Sequence, residues 1–307
     1  MPAFIKSILD SLTWSVYHAT NMPVLIFIKD LIIATSVQMV SLFAVIFILG
    51  LLIHLVSRLT FKSIEQAFWS KGTYLVAWLG TPIHELGHAL FCVIFMHKIV
   101  EMELFKPDPV TGTLGYVSHK WSRSNPWQVL GNLFISIGPV ILGCAVLFAI
   151  FYFIIPNSPQ AWDSIVAGVN DIDNVYSAGS YLEVLRDSAF AMVRLIFAIP
   201  NLTSWRFWVF FYLSICIASN MRLSLADIKG SLSGFGCLIL PFLLINFLGL
   251  ITGLGSEKFF PFTASSLGVV YSLLILAFIM VVIGFVLTYL ISAAYVKIRR
   301  GYILNPF

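Results

Sequence analysis

Tyr74-Leu75-Val76-Ala77-Trp78-Leu79-Gly80-Thr81-Pro82-Ile83-His84-Glu85-Leu86-Gly87-His88-Ala89-Leu90 is an apolar run interrupted by two histidines and a glutamate. The apolar character extends over residues 73–97, long enough to cross a hydrocarbon core of about 30 Å as a helix. In a helix His84 and His88 lie one turn apart on one face, so both imidazoles reach a common metal ion. Glu85 projects to the neighbouring side, where it can accept a proton from water held at that metal instead of binding the metal itself. Ionisable groups midway along an apolar helix are costly unless paired or functional. A histidine–glutamate cluster that merely joins helices is the alternative reading.

The chain around this stretch calls for the same solvent. Of its 307 residues 59% are hydrophobic and 10% charged, with a mean hydropathy of +0.95. A soluble domain carries roughly a quarter charged residues, so lipid is the medium that suits this surface. Six apolar stretches are long enough to span: 31–56, 73–97, 129–155, 205–221, 235–253 and 264–296. Between the second and third, Glu101-Met102-Glu103-Leu104-Phe105 and Leu114-Gly115-Tyr116-Val117 alternate around a turn-rich Pro107–Gly112 segment, which predicts a short hairpin. The expected fold is an all-α polytopic membrane protein of about six transmembrane helices with a short β-hairpin between helices two and three. Residues 1–30 form an interfacial amphipathic segment, and 31–72 the first transmembrane helix and a linker. Residues 73–232 form a core of three spans with the hairpin at 99–117 and an external loop at 156–204. Residues 233–307 give two C-terminal spans and a basic tail. Within the loop, 180–197 has helical spacing and is expected to rest on the membrane.

Charge and cysteine placement narrow the classes further. The net charge is +4, and no basic tract interleaved with aromatics is present, which argues against a nucleic-acid partner. Cys92, Cys144, Cys216 and Cys237 lie far apart in or beside apolar runs and form no CxxC pair, so they read as small apolar fillers. No secretory signal is apparent near the N-terminus. Lys98, Lys106, Lys120 and Arg123, then Arg222 and Lys229, then Lys297, Arg299 and Arg300 place those segments inside the cell. The acidic loop 156–204 falls outside, and Arg58, Lys62 and Lys71 go against the pattern. A multi-pass protein of a bacterial plasma membrane with both termini cytoplasmic is expected.

Catalytic zinc takes a third protein ligand and leaves its fourth position to water. Phe91 and Ile94 stand where a metzincin extension needs Gly and His, which excludes that class. His97, nine residues beyond His88 along the expected helix, cannot join the pair. His119, Glu101 and Glu103 in the hairpin loop are possible ligands. Asp227 is the better candidate, because helices two and four run parallel in a six-span topology and bring it to the same membrane side.

These motifs together resemble the site-2 protease family of intramembrane zinc metalloproteases, in a divergent branch. The resemblance covers roughly residues 74–232. His84 and His88 match the family's zinc ligands, Glu85 its catalytic glutamate, Gly138-Pro139 its Gly-Pro, and Asp227 its third ligand, with Asn220 seven residues earlier. Ile228 and Lys229 intervene before Gly230 where the family has an immediate Asp-Gly, and Ile141, Leu142 and Gly143 replace an asparagine after Gly-Pro. The resemblance implies one zinc ion per chain and hydrolysis of a peptide bond in a membrane-spanning protein substrate that arrives through the lipid bilayer. Asn220 and Asn132 are candidates for oxyanion or substrate contact. A non-proteolytic metal-binding scaffold or a transporter-like protein of the same fold is the alternative, although no internal repeat of the transporter kind is visible.

Overall fold

The computed structural model describes residues 24–108, 110–160, 162–163, 186–187, 190–191, 193–252 and 260–305. The interfacial segment expected at 1–30 lies outside the described residues up to 23, as do residues 164–185 of the acidic loop. Of the helix expected at 180–197, the described residues 186–187, 190–191 and 193–196 are helical.

The longest element, α1 (Val24–Ile94), is two helices joined at one residue. Trp69 has φ 62°, in the left-handed region that non-glycine residues seldom occupy. There the chain doubles back. Phe61 and Ile64 of the first arm cluster with Val76 and Ala77 of the second. No linker separates the two arms, contrary to the expectation for 31–72. Residues 57–69 look polar enough for a loop, yet Ser57, Thr60 and Ser63 are fully buried. Thr60 and Ser63 return their hydroxyls to the carbonyls of Val56 and Leu59, so the helix satisfies them internally.

The second arm stops at Ile94, where Met96 (φ 57°) turns the chain out. His97 therefore lies in a connection and not on the helix as the sequence suggested. Strands β1 (Lys98–Glu103) and β2 (Tyr116–Lys120) then pair antiparallel, Lys98 opposite Lys120 and Glu103 opposite Tyr116, with an irregularity between Ile99 and Glu101. The expected hairpin is present, and its second strand begins at Tyr116, past Gly115. That glycine is wedged against the Leu104 and Glu103 carbonyls, which a Cβ would meet at 2.7 and 2.8 Å. Phe105, just beyond β1, reaches back to Tyr74 at 6.2 Å, so the hairpin lies along the second arm.

Helix α2 (Pro126–Ile154) starts at Asn125, whose side chain accepts from Trp127 N, with Pro126 at the first turn where its missing N–H costs nothing. Then come α3 (Ile199–Leu202), α4 (Trp205–Ala218, capped by Ser204), α5 (Leu225–Thr252) and α6 (Phe260–Arg300). Among the described residues four helices are long and apolar enough to cross a membrane: Val24–Trp69, Pro126–Ile154, Leu225–Ile251 and Val270–Arg300. The stretches expected to span at 73–97 and 205–221 are not among them. The first carries the polar residues of the site, and the helix in the second has 14 residues, about 21 Å at about 1.5 Å each.

Small residues set the helix spacings. A Cβ on Gly131 would lie 2.5 Å from Phe95 Cβ, and one on Gly143 would lie 2.5 Å from Met221 Cγ. The main core joins α1, α2, α4 and α6 around Ile53, Leu147, Phe210, Tyr271 and Met280. Helices α4 and α5 do not pack side by side. Asn220 at the end of α4 lies against Gly80, while further on Phe235 of α5 meets Phe43, and Asn246 donates to Thr35 and Gln38 in the first arm. Thus α5 continues in the direction of α4. At the far end of α6, Arg300 donates to the Gln66 and Ala67 carbonyls beside the Trp69 turn.

Candidate metal centre

His84 and His88 lie on the second arm of α1 where it is clamped between α2 and the end of α4. The clamp depends on two glycines. A Cβ on Gly80 would overlap the Cys216 carbonyl and the Asn220 side chain, and one on Gly87 would sit 2.6 Å from Pro139 Cα. With no side chain at either position, two neighbouring backbones come within hydrogen-bonding reach of the imidazoles. His84 Nδ1 donates to the Asn220 carbonyl at 2.6 Å, and His88 Nδ1 to the Ile135 carbonyl at 2.8 Å. The Ile135 carbonyl is available because its helical partner four residues on is Pro139, which has no N–H to give. This explains the Gly138-Pro139 pair: the glycine permits the approach and the proline frees the acceptor.

With both Nδ1–H groups committed, the neutral rings turn their Nε2 lone pairs toward each other at 3.2 Å. The third group is Asp227, whose Oδ1 is 3.6 Å from His88 Nε2. Ligand atoms bound at about 2.1 Å in a tetrahedral zinc site are roughly 3.4 Å apart, so these separations suit one ion. All three candidate ligand atoms lie within 4.8 Å of one another, and His88 and Asp227 are each 13% exposed. Two lone pairs facing at this distance repel unless a cation lies between them. The residues present therefore fit a metal.

Asp227 is aimed by its own helix. Its Oδ2 accepts from Ser224 N at 2.8 Å while Ser224 Oγ accepts from Asp227 N at 3.1 Å, a reciprocal capping box at the start of α5. One carboxylate oxygen is fixed in the cap and the other faces the imidazole of His88. The Ser224-Leu225-Ala226-Asp227 spacing carried this signal in the sequence.

Glu85 is 7% exposed, and its Cγ would lie 3.0 Å from a Cβ on Gly115, so the hairpin covers the glutamate. It lines the same cavity of about 650 Å³ as His84, His88 and Asp227, with Gly112, Tyr116 and Val117 of the hairpin region opposite. His119 also lines the cavity but pairs with His97, Nδ1 to Nδ1 at 3.0 Å, and does not belong to the ligand group. Nor do Glu101 and Glu103. Asn220 spends its amide inside the fold, on the Cys216 carbonyl at 2.9 Å, and accepts from Thr81 at 3.2 Å. Its contribution to the site is its main-chain carbonyl. Asn132 donates to Ser233 at 3.0 Å on the cavity wall. The cavity is also lined by two cations that the sequence used to orient the chain, Arg222 and the exposed Lys229.

No family model matches this chain, and no curated protein or solved structure matches it either.

Proposed function

We propose that the chain is an intramembrane zinc endopeptidase that hydrolyses a peptide bond in a membrane-spanning protein. The observation that carries this reading is the convergence of His84 Nε2, His88 Nε2 and Asp227 Oδ1 beside Glu85 in one cavity. Two imidazoles, one carboxylate and an open fourth position suit catalytic zinc, which when bound supplies an acidified water and a polarised carbonyl. His84, His88 and Asp227 hold the ion. Glu85 takes the proton from the attacking water and delivers it to the departing amine. The hairpin region facing Glu85 offers an edge to a substrate stretch that has unwound from its helix.

Besides the four long apolar helices, we place the second arm of α1 and α4 within the bilayer, which gives six embedded helical segments. A substrate helix then enters laterally through lipid and is cut near the cytoplasmic side, with helix-weakening residues next to the scissile bond speeding the reaction.

The test uses purified protein and single-span substrates in liposomes. Wild type is expected to cleave with about one zinc per chain. Glu85→Gln keeps the zinc and loses turnover, whereas His84→Ala loses both. Cleavage at the wild-type rate by Glu85→Gln would end this reading.

A further inference from the structure

Arg222 brings to the site a charge that no carboxylate contacts among the described residues. The segment after α4, residues 221–224, belongs to no helix or strand, and burial alternates along it. Met221 and Leu223 are 1% and 2% exposed, each locked into the core, one against Gly143 and the other against Gly50. Arg222 between them faces the other way, into the cavity that holds the ligand triad and Glu85. Its guanidinium lies 5.1 Å from the centroid of the Phe61 ring. Among the described residues it makes no ion pair and no hydrogen bond; Glu65 and Glu85 are the carboxylates whose charge reaches it. A partly buried cation without a carboxylate in contact is costly, and Arg stacked on an aromatic face has its fork of donors left over.

Neighbouring residues hold this cation at a fixed height. Asn220 grips His84 through its carbonyl, and Ser224 and Asp227 cap α5, so Arg222 is tied at both ends to groups of the metal centre. The Asn220 amide is spent within the fold, and of the two cations that line the cavity Lys229 is exposed while Arg222 is partly buried.

We propose that Arg222 binds the oxygen of the attacked carbonyl as that oxygen takes on negative charge. This rests on the peptidase reading for its chemistry, but the anion site itself can be measured without turnover. No bond to Arg222 forms or breaks: its N–H groups donate to the oxygen more strongly once it is charged than in the ground state, which lowers the barrier. Removal of one such donor costs roughly 10²–10³ in kcat in enzymes of comparable design.

The experiment compares zinc-loaded full-length wild type, Arg222→Gln and Arg222→Lys. Three quantities are read: zinc content, affinity for inorganic phosphate as a tetrahedral anion by calorimetry, and kcat and KM on a single-span substrate. Arg222→Gln is expected to retain zinc, to bind phosphate at least about tenfold more weakly, and to lose kcat roughly 10²–10³-fold with KM little changed. Arg222→Lys recovers much of the phosphate affinity. If Arg222→Gln binds phosphate as tightly as wild type, or Arg222→Lys binds it no better than Arg222→Gln, the proposal is overturned. Loss of zinc from both variants would likewise overturn it, by making Arg222 a support of the metal centre. If phosphate binding follows the charge at 222 while wild type cleaves no substrate, the anion site stands and the peptidase reading falls.

Discussion

At the level of single residues, the centre depends on an absent donor as much as on its ligands. Pro139→Ala restores an N–H to α2 and gives the Ile135 carbonyl a helical partner, in competition with His88 Nδ1. We expect the variant to bind zinc roughly 10–100-fold more weakly even though alanine suits the helix better. Equal zinc affinity in a metal-competition titration would mean that the Ile135 contact does not orient His88. Asp227→Ala should weaken zinc as severely as His84→Ala, while Glu101→Ala, Glu103→Ala and His119→Ala leave it bound. Zinc retained in Asp227→Ala and lost in His119→Ala would reassign the ligand. The sequence made His84, Glu85 and His88 legible because a helix of known pitch fixes their mutual positions. It brought Asp227 forward through topology. Arg222 stayed hidden, since only the alternation of Met221, Arg222 and Leu223 against a formed core gives that side chain a direction.

Among the elements, a pair of histidines fastens the base of the hairpin to the start of α2. His97 donates Nε2–H to the Gln128 carbonyl at 2.7 Å, so its Nδ1 accepts from His119 Nδ1–H. Burial holds His97 below its ordinary value of 6.5, and burial together with the charges of His97 and His88 does the same for His119. Protonating His97 at Nδ1 removes the acceptor and breaks the bond between them. Because the folded values are depressed, the unfolded state takes up protons first as pH falls. The stabilisation is complete above the ordinary histidine range and is lost on acidification through it. Protection from hydrogen exchange over residues 98–120, relative to the intrinsic rate at each pH, should therefore fall between about pH 7.5 and about pH 5.5, while α2 stays protected. Equal protection of the hairpin at both values would rule the pair out as its fastening. The sequence showed the hairpin through its alternation but gave no sign of this pair, because His97 read as the last turn of a helix. A single left-handed residue, Met96, moved it.

For the whole molecule, the turn at Trp69 changes what the charges mean. Arg58, Lys62 and Lys71 opposed the inside rule when the first helix was given a single crossing and a linker. In the structure they stand at the same end as Lys297, Arg299 and Arg300, because α6 finishes beside Gln66 and Ala67. Val24 is at the other end of a 46-residue arm. If that arm crosses the membrane, the two ends of the described chain emerge on opposite sides, unlike the common cytoplasmic location expected from sequence. Val24 and Ile303 are 72% and 78% exposed. In a chain with its native cysteines replaced by alanine, Val24→Cys and Ile303→Cys should label from opposite faces of sealed vesicles. Labelling of both from one face would restore the six-crossing arrangement. Composition and run length pointed to lipid and to the helical class, and four helices are long and apolar enough to cross a membrane. Neither composition nor run length could count crossings, because hydropathy does not record direction and α5 follows α4 without reversing.

The ligand set has a temporal side as well. His84 and His88 emerge from the ribosome long before Asp227, and at about 5–20 residues per second the interval is roughly 7–30 s. Through that interval the nascent chain holds two imidazoles, the glutamate and the covering hairpin, but neither the third ligand nor Arg222. Two ligands hold zinc poorly. Only when Ser224 closes the first turn of α5 does the carboxylate swing into line, by which time the helices that wall the cavity on the α2 and α4 sides have been made. On the peptidase reading, a growing chain in a crowded insertion channel is thus kept inert toward its neighbours by the order of its own synthesis.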